Sequence, residues 1–275
     1  MRILVCGDVM GRSGREAVKA HVPRLRRELG LDFVVANGEN AAGGFGITDK
    51  LSAELYAAGC DVITTGNHVW DQRELLGTID GDPRLLRPLN LPAGTPGAGA
   101  RVFALKDGRR VLVLNPMARL FMDAVDCPFA AVERELDAHP LGEVQAVVID
   151  FHGEATSEKM AMGHFADGRA SVVAGTHSHV PTADAQILPK GTAYQTDCGM
   201  CGDYDSVIGM QKESAVARFV TKLPSERLRA ADGEGTLCAV FVETDDVTGL
   251  ARRIEPVRLG GRLVEHMPRV EVAVD

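Results

Sequence analysis

The sequence predicts an α/β fold with a parallel sheet in its first half and mixed pairing in its second. Three observations carry this expectation. Short apolar runs at Ile3–Cys6, Phe33–Ala36 and Val62–Thr65 alternate with segments of helical spacing. Strands that alternate with helices imply crossover connections between parallel strands. Beyond Leu91–Ala100, a loop rich in Pro, Gly and Ala, hairpin signals join further strand–helix pairs.

In chain order, Ile3–Cys6 ends in Gly-Asp and reads as a buried strand. Gly14 to Gly30 places Ala17, Val18, Val22, Leu25 and Leu29 on one helical face. Phe33–Ala36 is a second strand. Thr48 can cap a helix that runs to Ala58 and stops at Gly59. Val62–Thr65 is a third strand, ending in Gly-Asn-His. Arg101–Leu105 and Arg110–Leu114 flank Lys106-Asp107-Gly108-Arg109 as a hairpin. Ala130–Ala138 and Ser157–Phe165 read as helices, Ala146–Ile149 and Ser171–Ala174 as strands. Cys198 to Gly235 is irregular, with one helix near Glu213–Lys222. Leu237–Glu243 and Leu250–Val257 then close the fold as a hairpin. No composition break divides residues 1–275, so the expectation is one domain.

Composition narrows the partner. The 275 residues hold 30 Lys and Arg against 38 Asp and Glu, a net charge of −8. Such a chain repels polyanions unless it has a local basic patch or bound cations, which disfavours a long nucleic acid. One Trp and three Tyr offer little stacking surface for single strands. No run approaches the ~18 apolar residues of a membrane helix, and the amino-terminal run is too short for a signal peptide. Six cysteines without disulfide-type spacing fit a reduced, cytoplasmic protein.

The polar clusters fall at strand ends. Asp8 follows the first strand, Glu39 and Asn40 the second, Asn67 the third; His152, then His177 and His179, follow two later ones. Alone, each has an ordinary account as a cap, turn or surface residue. Ligands in open sheets bind outside the carboxyl ends of the strands, so seven such residues there read as one site. Two divalent cations close together repel, and a carboxylate between them lowers that cost; Glu39 is the best-placed bridge. Imidazole with carboxamide or carboxylate oxygen suits Fe, Mn, Co, Ni or Zn. The absence of thiolate from the set argues against a structural zinc site.

Gly7-Asp8, Gly38-Glu39-Asn40, Gly66-Asn67-His68, His152 and His177-Ser178-His179 resemble, in order, the motifs of the calcineurin-like metallophosphoesterases. Longer phrases are similar to the YmdB-like subgroup. They are Asn37-Gly-Glu-Asn-Ala-Ala-Gly-Gly-Phe-Gly-Ile-Thr48, Thr65-Gly-Asn-His-Val-Trp-Asp71, Asp150-Phe-His-Gly-Glu-Ala-Thr-Ser-Glu-Lys159, Gly175-Thr-His-Ser-His-Val-Pro-Thr182 and Thr196-Asp-Cys-Gly-Met200. The resemblance spans nearly the whole chain. It implies two stacked mixed sheets flanked by helices, a four-layer αββα sandwich. It implies one metal on Asp8, Glu39, Asn40 and His179, a second on Glu39, Asn67, His152 and His177, and His68 as the catalytic acid. It further implies two divalent transition-metal ions, iron first, with manganese or zinc as alternatives. The implied activity is hydrolysis of cyclic nucleotides, 2′,3′-cyclic ones in particular. Met10 stands where the broad superfamily has His, so Asn40 is expected to replace that ligand. Val69 stands where it has an acid. Both departures fit the subgroup.

Weaker signals keep two accounts each. Gly43-Gly44-Phe45-Gly46 can cradle a phosphate or, the favoured account, form a tight turn that brings Glu39 and Asn40 inward. Ser13 is a candidate helix cap, and Arg12 or Arg15 can face substrate or solvent. Cys198 and Cys201 have no second pair to complete a zinc site; they are read as inert and placed at the rim of the cleft. Asp71 and Glu154 are either orienting carboxylates or surface charges.

The expected protein is therefore a dinuclear-metal phosphodiesterase of a small cyclic nucleotide. Attack by a metal-bridging hydroxide is followed by protonation of the departing ribose oxygen by His68. The rivals are a phosphomonoesterase, an RNA nuclease on the same site, and a slow-turnover nucleotide-binding regulatory protein. A homo-oligomer is left open.

Overall fold

The structure is a computed structural model that describes residues 1–222 and 227–270. Its strands are β1 Arg2–Val9, β2 Phe33–Asn37, β3 Val62–Thr64, β4 Ala100–Ala104, β5 Arg110–Leu114, β6 Ala146–His152, β7 Val172–Thr176, β8 Gln186–Ile187, β9 Ala193–Gln195, β10 Met200–Cys201, β11 Leu237–Thr244 and β12 Ala251–Leu259. The α-helices are α1 Gly11–Glu28, α2 Asp49–Ala57, α3 Pro128–Ala138, α4 Thr156–Phe165 and α5 Lys212–Thr221.

Two mixed sheets result. The first runs β12-β11-β1-β2-β3, with β10 beside the end of β1. Its β1, β2, β3 and β10 pair in parallel, while β11 and β12 form the antiparallel closing hairpin. The second runs β4-β5-β6-β7-β9-β8, parallel from β5 to β9 and antiparallel at both edges.

The alternation of side chains along β1 shows how the sheets stack. Ile3 and Val5 join Val35, Val113, Val148 and Val172 in a cluster between the two sheets. Leu4 and Cys6 point the other way, onto Val18, Val22 and Leu25 of α1 and Leu55 of α2. On the far side, Val147 and Ile149 of β6 pack with Val132 and Leu136 of α3 and Met162 of α4. A strand apolar on every residue is covered on both faces, and here one face meets a sheet and the other a helix. The layers are thus helix, sheet, sheet, helix, as the resemblance implied. No helix among the described residues is long and apolar enough to cross a membrane.

Several element bounds differ from expectation. The first strand runs on to Val9, past a register shift between Cys6 and Asp8, so Asp8 lies inside the strand. The first helix begins at Gly11, with Met10 as its uncapped entry; the hydroxyl of Ser13 instead donates to the Gly233 carbonyl at 2.7 Å. Thr48 does cap α2, accepting from the Leu51 amide. Within the stretch read as irregular, β10 pairs with the end of β1. Cys198 and Cys201 are buried in the two packing layers of the first sheet, not at a rim.

Candidate metal centre

Both sheets present the carboxyl ends of their parallel strands to the same place. Asp8 comes from β1, and Glu39 and Asn40 follow β2. Asn67 follows β3, His152 ends β6, and His177 and His179 follow β7. The structure brings all seven together. His177 and His179 have φ of 95° and 65°, in the left-handed region that non-glycine residues rarely enter. Ser178 between them is fastened by Asp197, whose Oδ2 accepts from the Ser178 amide at 3.0 Å and its hydroxyl at 2.7 Å. That same oxygen accepts from Lys159 Nζ at 2.7 Å, an ion pair in which the lysine is only 1% exposed. Strain of this kind persists where the surroundings over-determine it, and it turns both imidazoles inward.

The donor atoms fall into two groups that share Glu39. Glu39, His152 and His177 form one, and Asp8, Glu39 and His179 the other, with the atoms of each within 4.8 Å of one another. In the first, His152 Nε2 lies 3.1 Å from Glu39 Oε1, from Asn67 Oδ1 and from His177 Nδ1. In the second, His179 Nε2 lies 3.2 Å from Asn40 Oδ1. Atoms ~2.0–2.2 Å from a shared transition-metal ion stand about 3 Å apart, so these spacings fit one ion in each group.

The outer nitrogens decide which ring atoms carry lone pairs. Thr176 Oγ1 donates to Asp150 Oδ1 at 2.6 Å, so it accepts from His152 Nδ1–H at 2.9 Å. His179 Nδ1 donates to the Ile208 carbonyl at 2.8 Å. His177 Nε2 faces Glu154 Oε2 at 3.3 Å. Each histidine thus has a partner for its outer nitrogen and turns the other nitrogen to the centre, where a cation would take the lone pair, the arrangement metal-ligating histidines adopt. Two further features fit a cation. Asp8 Oδ1 is buried with no hydrogen-bond partner. A Cβ on Gly66 would come 2.2 Å from both Glu39 Oε2 and His152 Nε2, so only glycine leaves the cradle open.

The electrostatics show charge drawn together at some cost. Burial pushes Asp8 up to about 6, although His179 and His152 pull it down. Burial would raise Glu39 as well, but the charge and hydrogen bond of His152 and the His68 amide outweigh it, leaving about 2. Burial lowers His152, but Glu39 and Asp8 carry it up to about 9; His177, buried beside His152, falls to about 3. His152 therefore offers Glu39 the counter-charge that a divalent cation would take over, and binding a cation there would release that proton.

His68 stands beside this centre, its side chain 29% exposed. Its Nδ1 meets Asp71 Oδ2 at 2.8 Å, which leaves Nε2 for the cavity, and its ring packs edge-on to Phe45. The cavity holds about 550 Å³ and is bounded by Glu39, Asn40, His177 and His179 on one side and by Phe45, Ile208, Met210 and Phe219 on the other. A larger depression of about 790 Å³ beside Arg119 and Phe129 shares none of these residues.

Sequence reading gave no role to Asn37, Asp150, Thr176, Asp197 or Lys159. Asn37 Nδ2 donates to Asp150 Oδ2 at 3.0 Å, and Thr64 Oγ1 donates to the same oxygen at 2.5 Å. Asp150 is thus the buried anchor beneath His152. Its position two residues before the histidine on one strand was the available signal, since both then face the same side. His21, His139, His164 and His266 belong to neither donor group.

Comparison with known proteins follows the same lines. A family model described as YmdB-like protein matches residues 4–257. The chain belongs to the YmdB-like family. It is 48% identical over 257 residues to a Bacillus subtilis protein named 2′,3′-cyclic-nucleotide 2′-phosphodiesterase, covering 94% of this chain and 96% of that one. A hypothetical protein from Thermus thermophilus has a crystal structure that superposes with a TM-score of 0.88 at 43% identity, covering 95% of this chain and all of that one. A crystal structure described as a novel phosphatase from Mycoplasma pneumoniae superposes at 0.87 with 32% identity, covering 94% and 93%. Family membership therefore rests on nearly the whole chain.

Proposed function

We propose that this chain is a dinuclear-metal phosphodiesterase that opens 2′,3′-cyclic nucleotides. The observation that carries the reading is the pair of donor groups meeting at Glu39, with His68 alongside. Asp8, Glu39, Asn40 and His179 would hold one cation, and Glu39, Asn67, His152 and His177 the other. Bound there, two divalent cations supply positive charge for the phosphate oxygens and acidify water to a nucleophile at neutral pH. Fe or Mn suits this mixed nitrogen and oxygen set.

The chain's own residues do the rest. The Asn67 carboxamide, its Oδ1 turned to His152, would offer an Nδ2–H to a non-bridging oxygen. Asp71 holds Nδ1 of His68, so Nε2 would be the atom that delivers a proton to the departing ribose oxygen. Apolar side chains at Phe45, Met210 and Phe219 would give the sugar and base a surface to pack on. The named activity of the Bacillus subtilis relative supports this substrate class, and breaking the 2′ ester would leave a nucleoside 3′-phosphate. Six free cysteines support a reducing, cytoplasmic setting.

Protein purified without chelator is expected to carry about two transition-metal ions per chain. Its kcat/KM is expected to be higher for a 2′,3′-cyclic nucleotide than for unstructured RNA or a 5′-monophosphate. A tenfold advantage for RNA, about 1.4 kcal/mol of transition-state preference, would replace this reading with the nuclease.

A further inference from the structure

A second cavity, of about 520 Å³, adjoins the metal centre, and its chemistry is different. Phe45 and Leu228 line both cavities and form the wall between them. On the far side of that wall, three arginines line the second cavity: Arg12, Arg227 and Arg229. In a chain of net charge −8, three guanidinium groups around one cavity are a marked local reversal. The single carboxylate lining it is Asp232.

The arginines are exposed and none of the three is in a salt bridge among the described residues. This sets them apart from Arg15, Arg26, Arg109 and Arg253, each of which is paired with a carboxylate. The amino end of α1, which no side chain caps, reaches the same cavity through Arg12 and adds the positive end of an 18-residue helix.

The two cavities are near enough for one small molecule. The Phe45 ring centroid lies 5.3 Å from that of His68 and 5.6 Å from the Arg227 guanidinium carbon. The acid proposed for the reaction and the Arg227 guanidinium are therefore separated by no more than the sum of those lengths. That is the scale of one nucleotide unit, from the phosphate under attack to the next phosphate along.

We propose that the arginine-lined cavity is a subsite for a second phosphate of the substrate. The preferred substrate would then be a nucleotide that carries a 2′,3′-cyclic phosphate and a further phosphate on its 5′ side. This inference rests on the phosphodiesterase reading above and deepens it. The second phosphate has two sources, a 5′-monophosphate or the phosphodiester of a short oligonucleotide. Guanidinium groups bind either through paired N–H···O contacts. An exposed site of this kind is screened by salt, so its effect weakens as ionic strength rises.

The test uses full-length protein with its metals retained and compares three substrates. These are adenosine 2′,3′-cyclic phosphate, its 5′-phosphorylated form, and a dinucleotide ending in the cyclic phosphate. The 5′-phosphorylated form or the dinucleotide is expected to gain about tenfold in kcat/KM over the plain nucleotide, mostly in KM. Which of the two gains more identifies the source. In Arg227→Gln/Arg229→Gln protein that ratio is expected to fall toward one. A ratio near one in the unaltered protein, or one unchanged in the variant, would overturn the subsite. A binding arm separates failure of this inference from failure of the proposed reaction. Calorimetry compares adenosine 3′-phosphate with adenosine 3′,5′-bisphosphate and needs no turnover. Tighter bisphosphate binding that the double variant loses supports the subsite even if no cyclic substrate is hydrolysed; equal affinities reject it.

Discussion

The inner and outer halves of the metal centre are built differently. In the inner half, Asp8, Glu39, Asn40 and His152 are all buried to 2% exposure or less. Behind His152 stands a closed set of hydrogen bonds through Thr176, Asp150, Asn37 and Thr64. In the outer half, His68, Asp71 and Glu154 are exposed by 29%, 44% and 52%, and the His68 ring leans on one carboxylate and one phenyl ring. The proposed ligands, which would hold charge in fixed geometry, are over-determined, and His68, the proposed proton donor, keeps access to substrate and water. Glu39 tolerates its desolvation because His152 and the His68 amide meet it, whereas Asp8 Oδ1 has no hydrogen-bond partner; the proposed acid, His68, needs no such shell.

The largest expected effect is on the inner half. Gly66→Ala adds one methyl carbon where Glu39 Oε2 and His152 Nε2 already lie 2.2 Å away. Gly66 is not among the residues of positive φ, so alanine meets no backbone strain and the clash alone acts. Metal content is expected to fall well below one ion per chain and turnover by more than ~10²-fold, the scale of a misplaced reacting group. Elemental analysis and an activity assay on the same preparation check this. A folded variant with two ions per chain would show that the inner half yields easily, and the contrast drawn above would fail.

Next comes the outer half. His68→Ala is expected to keep its metals and lose ~10²–10⁴-fold in kcat, the range for removal of a general acid. The loss should shrink on a substrate whose leaving group needs no proton, such as a p-nitrophenyl phosphodiester. If His68→Ala instead emptied the site, His68 would belong with the inner half, and its amide contact to Glu39 would be the place to look.

The same division separates what the sequence made legible from what it did not. The seven ligand candidates could be read because each follows or ends a short apolar run, and strand ends converge in a parallel sheet. The two-sided apolar character of Ile3–Cys6 announced that both faces are covered, but not that one cover is a second sheet. Only the family resemblance supplied the stacking. Short strands such as Gln186–Ile187 and Met200–Cys201 are two residues long and carry no periodicity. Ser13 looked like a cap because capping is a local signal, whereas its partner Gly233 is 220 residues away. Asp150 was harder to read for the same reason: its three partners come from three other segments, and only its place two residues before His152 on one strand hinted at a buried anchor.

The smallest effect is expected outside both halves. Cys198 precedes β10 and Cys201 ends it, close in sequence to Asp197, and a paired-thiolate reading of them would make them part of the centre. Their surroundings argue otherwise. Cys198 lies in the apolar cluster between the sheets, where burial first and the nearby Asp197 second push its thiol well above the ordinary range, away from the thiolate a metal needs. Cys201 packs on the helix side, and its Sγ donates to the Cys238 carbonyl at 3.4 Å. Replacing both by serine puts two hydroxyls among apolar side chains, at about 1–3 kcal/mol for each one left without a partner. For a chain of this size each kcal/mol lowers Tm by roughly 2–4 °C. Cys198→Ser/Cys201→Ser protein is therefore expected to melt several degrees lower while its metal content and kcat, measured well below that Tm, stay within about twofold. Metal loss with Tm unchanged would reverse the assignment, since a packing defect alone cannot empty a site whose donors lie on other residues.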